Sequence, residues 1–548
     1  MHFSHPDKLK GSSTKQSSFL SGVMILTVSN LLVKVAGLLF KVPMNYIVGD
    51  AGMGYYNSAY SVYTLFYMLS TSGLPVALSV MVSERRSRGN TEAAKLIYRL
   101  ALTIFFIIGL AVCLVMLIFP NALAELIKSD RSALSIAVAA PTMLFICISS
   151  AVRGYFQGCG NMVPTAVSQL IEAVGKLVLG VAAASYAIRM GYAVHIVAAY
   201  GVAGLTLGSF AGMVYLLFAK FLRRDRDLAV DCGERANDSL QKRDILRRFV
   251  RISLPITVSA SVMSLTNMID TALIQRILQN SGMSEEAAAT LYGNYTSLAV
   301  PMFNLPPVLV YPIAYALVPS VAAAFASGNR TAAAERIESC IRYAVIIGLP
   351  CAMGLSTLAD PILCLLYKEA SAHMAAPLLT CLAPSSFFVC ILAVTNSTLQ
   401  ACGQERKPVI SMLAGAVVKC MFSVILLRKL GIIGAPLSTF ACYLTVTAIN
   451  LGYVAKYTGI RLELAKTLLR PLAGSVLCSI VGVILCRLLV YHIGIRLSCL
   501  IAILAAAVVY GMFIVLSGAV GRDEITELCQ RIIKKKGNKN LGNKRAQA

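Results

Sequence analysis

Long apolar runs recur along the chain from Phe19 to Ser517, and short polar stretches separate them. A helix needs about 20 consecutive apolar residues to cross the hydrocarbon core of a bilayer, which is the length of these runs. The pattern predicts an all-α polytopic membrane protein with about 14 transmembrane helices. We place these spans near residues 19–42, 55–82, 97–120, 132–154, 163–187, 193–219, 249–277, 289–324, 340–361, 375–400, 408–428, 432–455, 468–490 and 497–519.

Two parts of this pattern repeat each other. Gln157 precedes Lys176 by nineteen residues, and Gln400 precedes Lys419 by the same distance, with matching Cys and Gly positions between them. A duplication of six spans has parallel topology, so its copies are related by a pseudo-two-fold axis along the membrane normal, around a shared cavity. The predicted parts are an N-tail (1–18), a first six-helix lobe (19–219), a linker (220–248), a second six-helix lobe (249–455), two extra C-terminal helices (468–519) and a basic C-tail (520–548).

The composition agrees with a membrane protein, since 57% of the residues are hydrophobic and 14% are charged. Soluble domains are about 45–50% apolar and about 25% charged. The net charge of +24 comes from Lys and Arg concentrated in alternate loops and both tails. Such a bias marks the cytoplasmic side, so we expect both termini there and no binding to nucleic acid.

Signatures of enzymes and metal sites are missing. The sequence has no GxxxxGK[ST], HExxH or GxSxG motif, and its sixteen cysteines include no CxxC pair. A membrane glycosyltransferase would be expected to carry a large extracytoplasmic loop, and the outer loops here are short. We therefore predict a protein that is not an enzyme and has no metal site or cofactor. Without a nucleotide site, transport would be passive or driven by Na⁺, H⁺ or the membrane potential.

The first span carries a polar stripe. Asn30, Lys34, Gly37 and Lys41 follow one another at steps of four, three and four, which places them on one helix face. A lysine near a helix centre costs roughly 2.5–3.5 kcal/mol to insert, so it usually faces a cavity or a partner. We predict that Lys34 faces a cavity, with a salt bridge or a lipid-side snorkel as alternatives. Lys41 either faces the same cavity as Lys34 or extends its ammonium group to the outer membrane interface.

The second span carries four tyrosines at helical spacing, with an asparagine beside them. One interpretation is packing against neighbouring helices. The other is an aromatic cavity wall for sugar rings or an isoprenoid chain, because a tyrosine offers both a ring face and a hydroxyl. The residues are Tyr56, Asn57, Tyr60, Tyr63 and Tyr67.

Three further groups of charges lie within predicted spans. Glu172 and Lys176 are four residues apart, which favours a salt bridge, with ion coupling or substrate contact as the alternative. Lys419 is the repeat counterpart of Lys176 and has no matching acid, because position 415 is Gly. We therefore expect Lys419 to be the less neutralised cation. Asp270 could bind Na⁺ or a proton, or could pair with a lysine of the first lobe.

Several stretches resemble a known family. They are Gly49-Asp-Ala-Gly52-Met-Gly-Tyr-Tyr, Ser72-Gly-Leu-Pro-Val-Ala-Leu-Ser79, Arg153-Gly-Tyr-Phe-Gln-Gly158 and Pro164-Thr-Ala-Val-Ser-Gln169. With the fourteen-span pattern, they resemble the multidrug/oligosaccharidyl-lipid/polysaccharide (MOP) superfamily. Within it they are most similar to the polysaccharide-biosynthesis branch that includes stage V sporulation protein B-like and lipid II flippase-like proteins.

The resemblance implies a flippase in a bacterial plasma membrane. It would carry an undecaprenyl-diphosphate-linked oligosaccharide or peptidoglycan precursor from the inner to the outer leaflet by alternating access. Its partners would be this lipid-linked sugar and membrane lipids, and we expect a monomer. Cavity cations would hold the diphosphate, here Lys34 with Lys41 and Lys419, lined by Asn30, Asn57 and the tyrosines. The alternative is a cation-coupled multidrug exporter, although the intramembrane charges lean basic.

Overall fold

The computed structural model describes residues 8–222, 242–326, 329–460, 463 and 465–518. Within these residues all regular structure is helical and there is no strand, which confirms the predicted all-α class. Parts of the predicted N-tail and linker (1–7 and 223–241) and all of the predicted C-tail (520–548) lie outside the described residues.

The α-helices are α1 (Lys8–Thr71), α2 (Gly73–Ser87), α3 (Thr91–Ile118), α4 (Pro120–Leu126), α5 (Ala133–Gly158), α6 (Val163–Arg189), α7 (Val194–Leu222), α8 (Lys242–Asn280), α9 (Glu285–Gly293), α10 (Val300–Phe303), α11 (Leu305–Ala326), α12 (Arg330–Thr357), α13 (Ala359–Leu366), α14 (Glu369–Ala401), α15 (Arg406–Leu430), α16 (Gly434–Thr458) and α17 (Arg470–Leu516). Short 3₁₀ turns span Asp130–Ser132 and Gly431–Ile433, and π-helical segments span Asn294–Ala299 and Ala465–Leu469.

Eleven segments of the described chain are long and apolar enough to cross a membrane, and three of them run for 60, 53 and 50 residues. Each of these three contains a break. The first is broken at Gly49, where φ is 68°, and again at Ser72; the second is broken at the 3₁₀ turn Gly431–Ile433 and the third at Gly494, where φ is 77°. A helix of 20 residues is about 30 Å long, so each broken segment has enough residues for two crossings. The polytopic architecture is confirmed, and the number of fourteen stays a prediction.

The predicted duplication extends to the ends of the helices. Helices α3 and α12 both have 28 residues, and each is followed after one residue by a short helix, α4 or α13. Both begin after an asparagine whose side chain accepts a backbone hydrogen bond. Asn90 accepts from Ala93 N at 2.9 Å, and Asn329 accepts from Ala332 N at 3.1 Å. An asparagine at this position satisfies a donor that the first helical turn leaves unpaired.

A close helix contact also recurs. A Cβ atom built on Gly109 of α3 would lie 2.8 Å from Cys147 Cβ of α5. A Cβ atom built on Gly348 of α12 would lie 3.0 Å from Cys390 Cβ of α14. Each copy therefore packs a glycine of one helix against a cysteine of another. The duplication read from the sequence includes this tertiary contact, which periodicity alone did not predict.

The sequence predicts two interruptions of helical spans, because glycine and proline favour kinks and breaks: one at Gly73-Leu-Pro75 in the second span, and one at Asn304, Pro306-Pro307 and Pro312 in the eighth. The chain breaks at Ser72, between α1 and α2, as the Gly73-Leu-Pro75 stretch predicted. A Cβ atom on Gly73 would lie 2.1 Å from Ser253 O, so glycine allows α2 to approach α8 closely. In the eighth predicted span the break falls at Asn304. Pro312 was also expected to break this span, and that was wrong because α11 continues through it.

The chain divides into two compact units. The first comprises Met1–Pro301, Leu366–Leu378 and Met412–Cys442, and the second comprises Met302–Leu365, Leu379–Ser411 and Tyr443–Ala548. In the second unit Tyr510 of α17 donates to Ile346 O of α12 at 2.9 Å. Every residue that the sequence nominated for the site lies in the first unit.

Candidate functional site

The tyrosines of α1 form a continuous aromatic column in the first unit. The ring centroids of Tyr56 and Tyr60 are 6.1 Å apart, those of Tyr60 and Tyr63 5.4 Å, and those of Tyr63 and Tyr67 5.9 Å. Phe40 extends the column, with its centroid 5.5 Å from Tyr56. The column forms because steps of three and four residues bring side chains onto one helix face.

Lys176 of α6 points at this column. Its Nζ atom lies 4.8 Å from the centroid of Phe40, 4.7 Å from that of Tyr60 and 5.7 Å from that of Tyr56. The negative face of an aromatic ring attracts a cation within about 6 Å. Three rings therefore help to hold one ammonium group inside the membrane-spanning part of the protein.

Lys41 of α1 lies against the π-helical segment Asn294–Ala299. Its Nζ atom donates to Thr296 O at 2.7 Å. The neighbouring residue Ser297 accepts a hydrogen bond from Asn57 Nδ2, so two predicted site residues of α1 contact the same segment. The structure thus places Lys176 against the aromatic column, and Lys41 and Asn57 against one π-helical segment.

Asn30 and Lys34 lie farther toward the start of α1. Both side chains are exposed, whereas Lys41 is half-buried. In a membrane protein an exposed side chain faces lipid, water or a cavity. The polar stripe therefore has an accessible end at Asn30 and Lys34 and an end at Lys41 that contacts the protein.

Glu172 pairs with Arg153, so the predicted salt bridge between Glu172 and Lys176 is wrong. Glu172 Oε2 lies 2.7 Å from Arg153 Nη2, and Arg153 Nε donates to Ser168 Oγ at 2.9 Å. A short turn between α5 and α6 brings this guanidinium beside Glu172, while Lys176 turns to the aromatic rings. Sequence reasoning noted Arg153 only as part of a family motif. An arginine near the end of an apolar span was the available signal for a buried partner.

Asp270 pairs with Lys419, so the expectation that Lys419 lacks an acidic partner is also wrong. Lys419 Nζ lies 3.1 Å from Asp270 Oδ2, and both side chains are about one-tenth exposed, at 11% and 10%. Ser423 Oγ donates to the other carboxylate oxygen at 3.1 Å. The repeat comparison considered only position 415, on the same helix, and therefore missed an acid from α8.

The site is thus basic and aromatic. Its two carboxylates, Glu172 and Asp270, each lie against a cation, whereas Lys176 lies against rings and Lys41 against a backbone carbonyl. Ammonium groups beside aromatic faces suit a ligand that combines phosphate oxygens with sugar rings or a hydrocarbon chain.

Comparisons with known proteins agree with this architecture. The sequence model of the polysaccharide biosynthesis protein family matches residues 19–325, and that of the MatE family matches residues 255–425. Stage V sporulation protein B of Bacillus subtilis (strain 168) is 26% identical over 517 residues, covering 94% of this chain and 98% of that protein.

One further relative and one solved structure are lipid II flippases. Lipid II flippase MurJ of Bacillus subtilis (strain 168) is 24% identical over 514 residues, covering 90% of this chain and 93% of that protein. The solved structure of a lipid II flippase MurJ in an inward closed conformation superposes with a TM-score of 0.68 at 14% identity. That match covers 92% of this chain and 100% of the other and shows likeness of fold. The chain therefore belongs to the polysaccharide biosynthesis protein family, within the MOP superfamily of multi-pass membrane transporters and flippases.

Proposed function

We propose that this protein is a flippase for an undecaprenyl-diphosphate-linked oligosaccharide or peptidoglycan precursor, which it moves from the inner to the outer leaflet for envelope polysaccharide synthesis. The observation that carries the proposal is the position of Lys176 over the rings of the aromatic column, with Lys41 held against the π-helical segment that Asn57 also contacts. The similarity to a lipid II flippase over 90% of the chain supports the same substrate class.

The charge balance supports an anionic ligand. Each buried lysine costs roughly 2.5–3.5 kcal/mol to insert into a membrane. A negative charge at ~4 Å, with an effective dielectric constant of ~20, interacts with an ammonium by about 4 kcal/mol. A diphosphate that contacts Lys34, Lys41 or Lys176 can therefore offset the insertion cost of the lysine. In the described structure the ammonium group of Lys176 contacts aromatic rings and that of Lys41 contacts a backbone carbonyl.

We assign the residues as follows. Lys34, with Asn30 beside it, receives the diphosphate because it lies at the accessible end of the stripe. Lys41 and Lys176 then attract the diphosphate from this accessible end toward the aromatic column. Tyr56, Tyr60 and Tyr63, with Asn57, provide the wall for sugar or isoprenoid groups. Lys419 receives no phosphate in this scheme, because Asp270 already neutralises it.

Transport by alternating access needs a driving force, and the membrane potential can supply one. A negative headgroup that moves outward across a membrane whose interior is negative releases about 2.3 kcal/mol per charge per 100 mV. Coupling to Na⁺ or H⁺ would add to this. In the described structure, the carboxylates that could bind a coupling ion, Glu172 and Asp270, already have cationic partners. The membrane potential is therefore the simpler driving force for transport.

The test uses cells that depend on this protein for envelope synthesis. We expect Lys34→Gln to stop growth and to cause the lipid-linked precursor to accumulate in the inner leaflet. Lys34→Arg, which keeps the charge, should restore both. Normal growth and normal precursor export with Lys34→Gln would refute the role of Lys34. Normal export after depletion of the whole protein would refute the flippase function itself.

A second candidate is a cation-coupled multidrug exporter, which the MatE match over residues 255–425 favours. Exporters of cationic drugs need acidic cavities, whereas this site gathers ammonium groups. Resistance to cationic drugs on overexpression, without any change in lipid-linked precursors, would favour this candidate.

A further inference from the structure

A narrow apolar groove lies between α3 and the first turns of α8, within the first unit. Its volume is about 290 Å³. Its lining side chains are hydrocarbon except at two positions, Thr103 and Arg243; the others are Ile97, Leu100, Ala101, Ile104, Ile245, Leu246 and Phe249. The groove is separate from the aromatic column and plays no part in the transport mechanism proposed above.

The groove opens toward lipid. Its floor is buried, since Ile97, Ala101 and Phe249 are each about 2% exposed. Its rim is not, because Leu246 is 47% exposed. Val250, one turn farther along α8, is similarly exposed at 46% but does not line the groove. Apolar side chains that remain exposed near the end of a membrane-spanning helix are expected to contact acyl chains.

One end of the groove is basic. Arg243 lines it, and Arg247 and Arg251 follow on the same face of α8 at steps of four residues, all with exposed side chains. Basic pockets between membrane helices on the cytoplasmic side bind anionic lipid headgroups. By the distribution of basic loops, this end of α8 belongs to that side.

We propose that this groove binds an anionic phospholipid, with one acyl chain between α3 and α8 and the phosphate on Arg243. Charge complementarity selects an anionic headgroup, because a guanidinium offers paired donors to phosphate oxygens. The small volume and hydrocarbon lining fit part of one chain and provide no wall of polar groups for a sugar. The occupant is therefore a membrane lipid of the surrounding leaflet. Arg248, about one turn from the lipid site on α8, forms an ion pair with Glu84 of α2. A lipid bound in the groove would therefore stabilise the position of α8 next to this ion pair.

The chain contains no tryptophan, so one introduced indole reports on its own surroundings. We would place it at the groove with Leu246→Trp, and one turn away with Val250→Trp as the matched control. The purified full-length variants are reconstituted into phosphatidylcholine vesicles. Brominated phosphatidylglycerol or brominated phosphatidylcholine is then added at equal mole fraction, and quenching of the indole gives the relative affinity for each lipid.

We expect Leu246→Trp to favour phosphatidylglycerol by about fivefold, the factor that corresponds to ~1 kcal/mol for one basic contact. Val250→Trp should show a ratio near one. Adding Arg243→Gln to Leu246→Trp should abolish the preference, whereas adding Lys456→Gln, which removes an exposed cation elsewhere, should leave it unchanged.

Equal quenching by the two lipids at Leu246→Trp would overturn the proposal, as would a preference that survives Arg243→Gln. Relief of the quenching by a few mole per cent of undecaprenyl diphosphate, but not by added phosphatidylglycerol, would also overturn it and would assign the groove to the transported lipid. The readout needs no transport, so its failure is distinct from failure of the proposed flippase function.

Discussion

Lys419 Nζ lies 3.1 Å from Asp270 Oδ2, and the two side chains form an ion pair that is about nine-tenths buried. The pair joins α15 to α8 within the first unit, and Ser423 donates a further hydrogen bond to the carboxylate. Two charges that would each be expensive alone inside a membrane protein become tolerable together.

Breaking this pair from one side should destabilise the protein. Asp270→Asn removes the carboxylate that lies against the buried ammonium of Lys419, and removing one partner of a buried ion pair costs about 3–5 kcal/mol in folded proteins. We expect a clear fall in the thermal unfolding temperature of the detergent-solubilised protein. The double variant Asp270→Asn, Lys419→Met should recover most of the loss, because both members of the pair are then neutral. If the double variant is as unstable as the single one, the ion pair is not the cause.

The contact between Gly54 and α9 should tolerate no side chain. A Cβ atom on Gly54 would lie 2.0 Å from Ala289 O, so Gly54→Ala forces two backbones apart. Overpacking costs about 1–3 kcal/mol, and we expect a lower unfolding temperature. Gly37→Ala on the same helix is the matched control, since nothing lies within 4 Å of its Cβ position. It should be neutral or slightly stabilising, by up to ~1 kcal/mol. Equal effects of the two variants would contradict the packing described.

For export of the lipid-linked precursor, the ring of Tyr60 should matter more than its hydroxyl group. Tyr60→Phe keeps the face that Lys176 contacts, whereas Tyr60→Leu removes an interaction worth ~0.5–2 kcal/mol. We expect near-normal export of the lipid-linked precursor with Phe and a loss of about fivefold with Leu. Tyr67→Leu, at the far end of the column, should have a smaller effect. Equal losses from Tyr60→Leu and Tyr67→Leu would point to packing of the column instead.

The distribution of basic residues predicts the orientation of the chain. A green fluorescent protein fused after Ala548, or inserted between residues 223 and 241, should fluoresce, and alkaline phosphatase at either position should be inactive. Alkaline phosphatase inserted at Ser281, in the turn after α8, should be active. Active phosphatase at the C-terminus would refute the predicted cytoplasmic location of that end.

The apolar runs and the repeat spacing predicted much of the fold, because both depend on local periodicity. A span must be long and apolar to cross a bilayer, and a duplicated sequence keeps the positions of its caps and turns. Asn90 and Asn329 are one example, since each caps the corresponding helix of its copy. The fold class needed no tertiary information.

The partners of the charges were decided by tertiary structure. The sequence placed Glu172 and Lys176 four residues apart, but Glu172 pairs with Arg153 of α5 and Lys176 turns to Phe40 and Tyr60. Spacing along one helix shows which groups can meet, and the packing of neighbouring helices supplies competing partners that local spacing cannot reveal.

The same distinction applies to the polar stripe of α1. The sequence by itself determined that Asn30, Lys34 and Lys41 share a face, because the period of a helix is fixed by its backbone. Only the tertiary structure decided that Lys41 donates to Thr296 O while Lys34 remains exposed. The physical reason is that burial and hydrogen bonding depend on what packs against the face, and the contacting segment lies far away in the sequence.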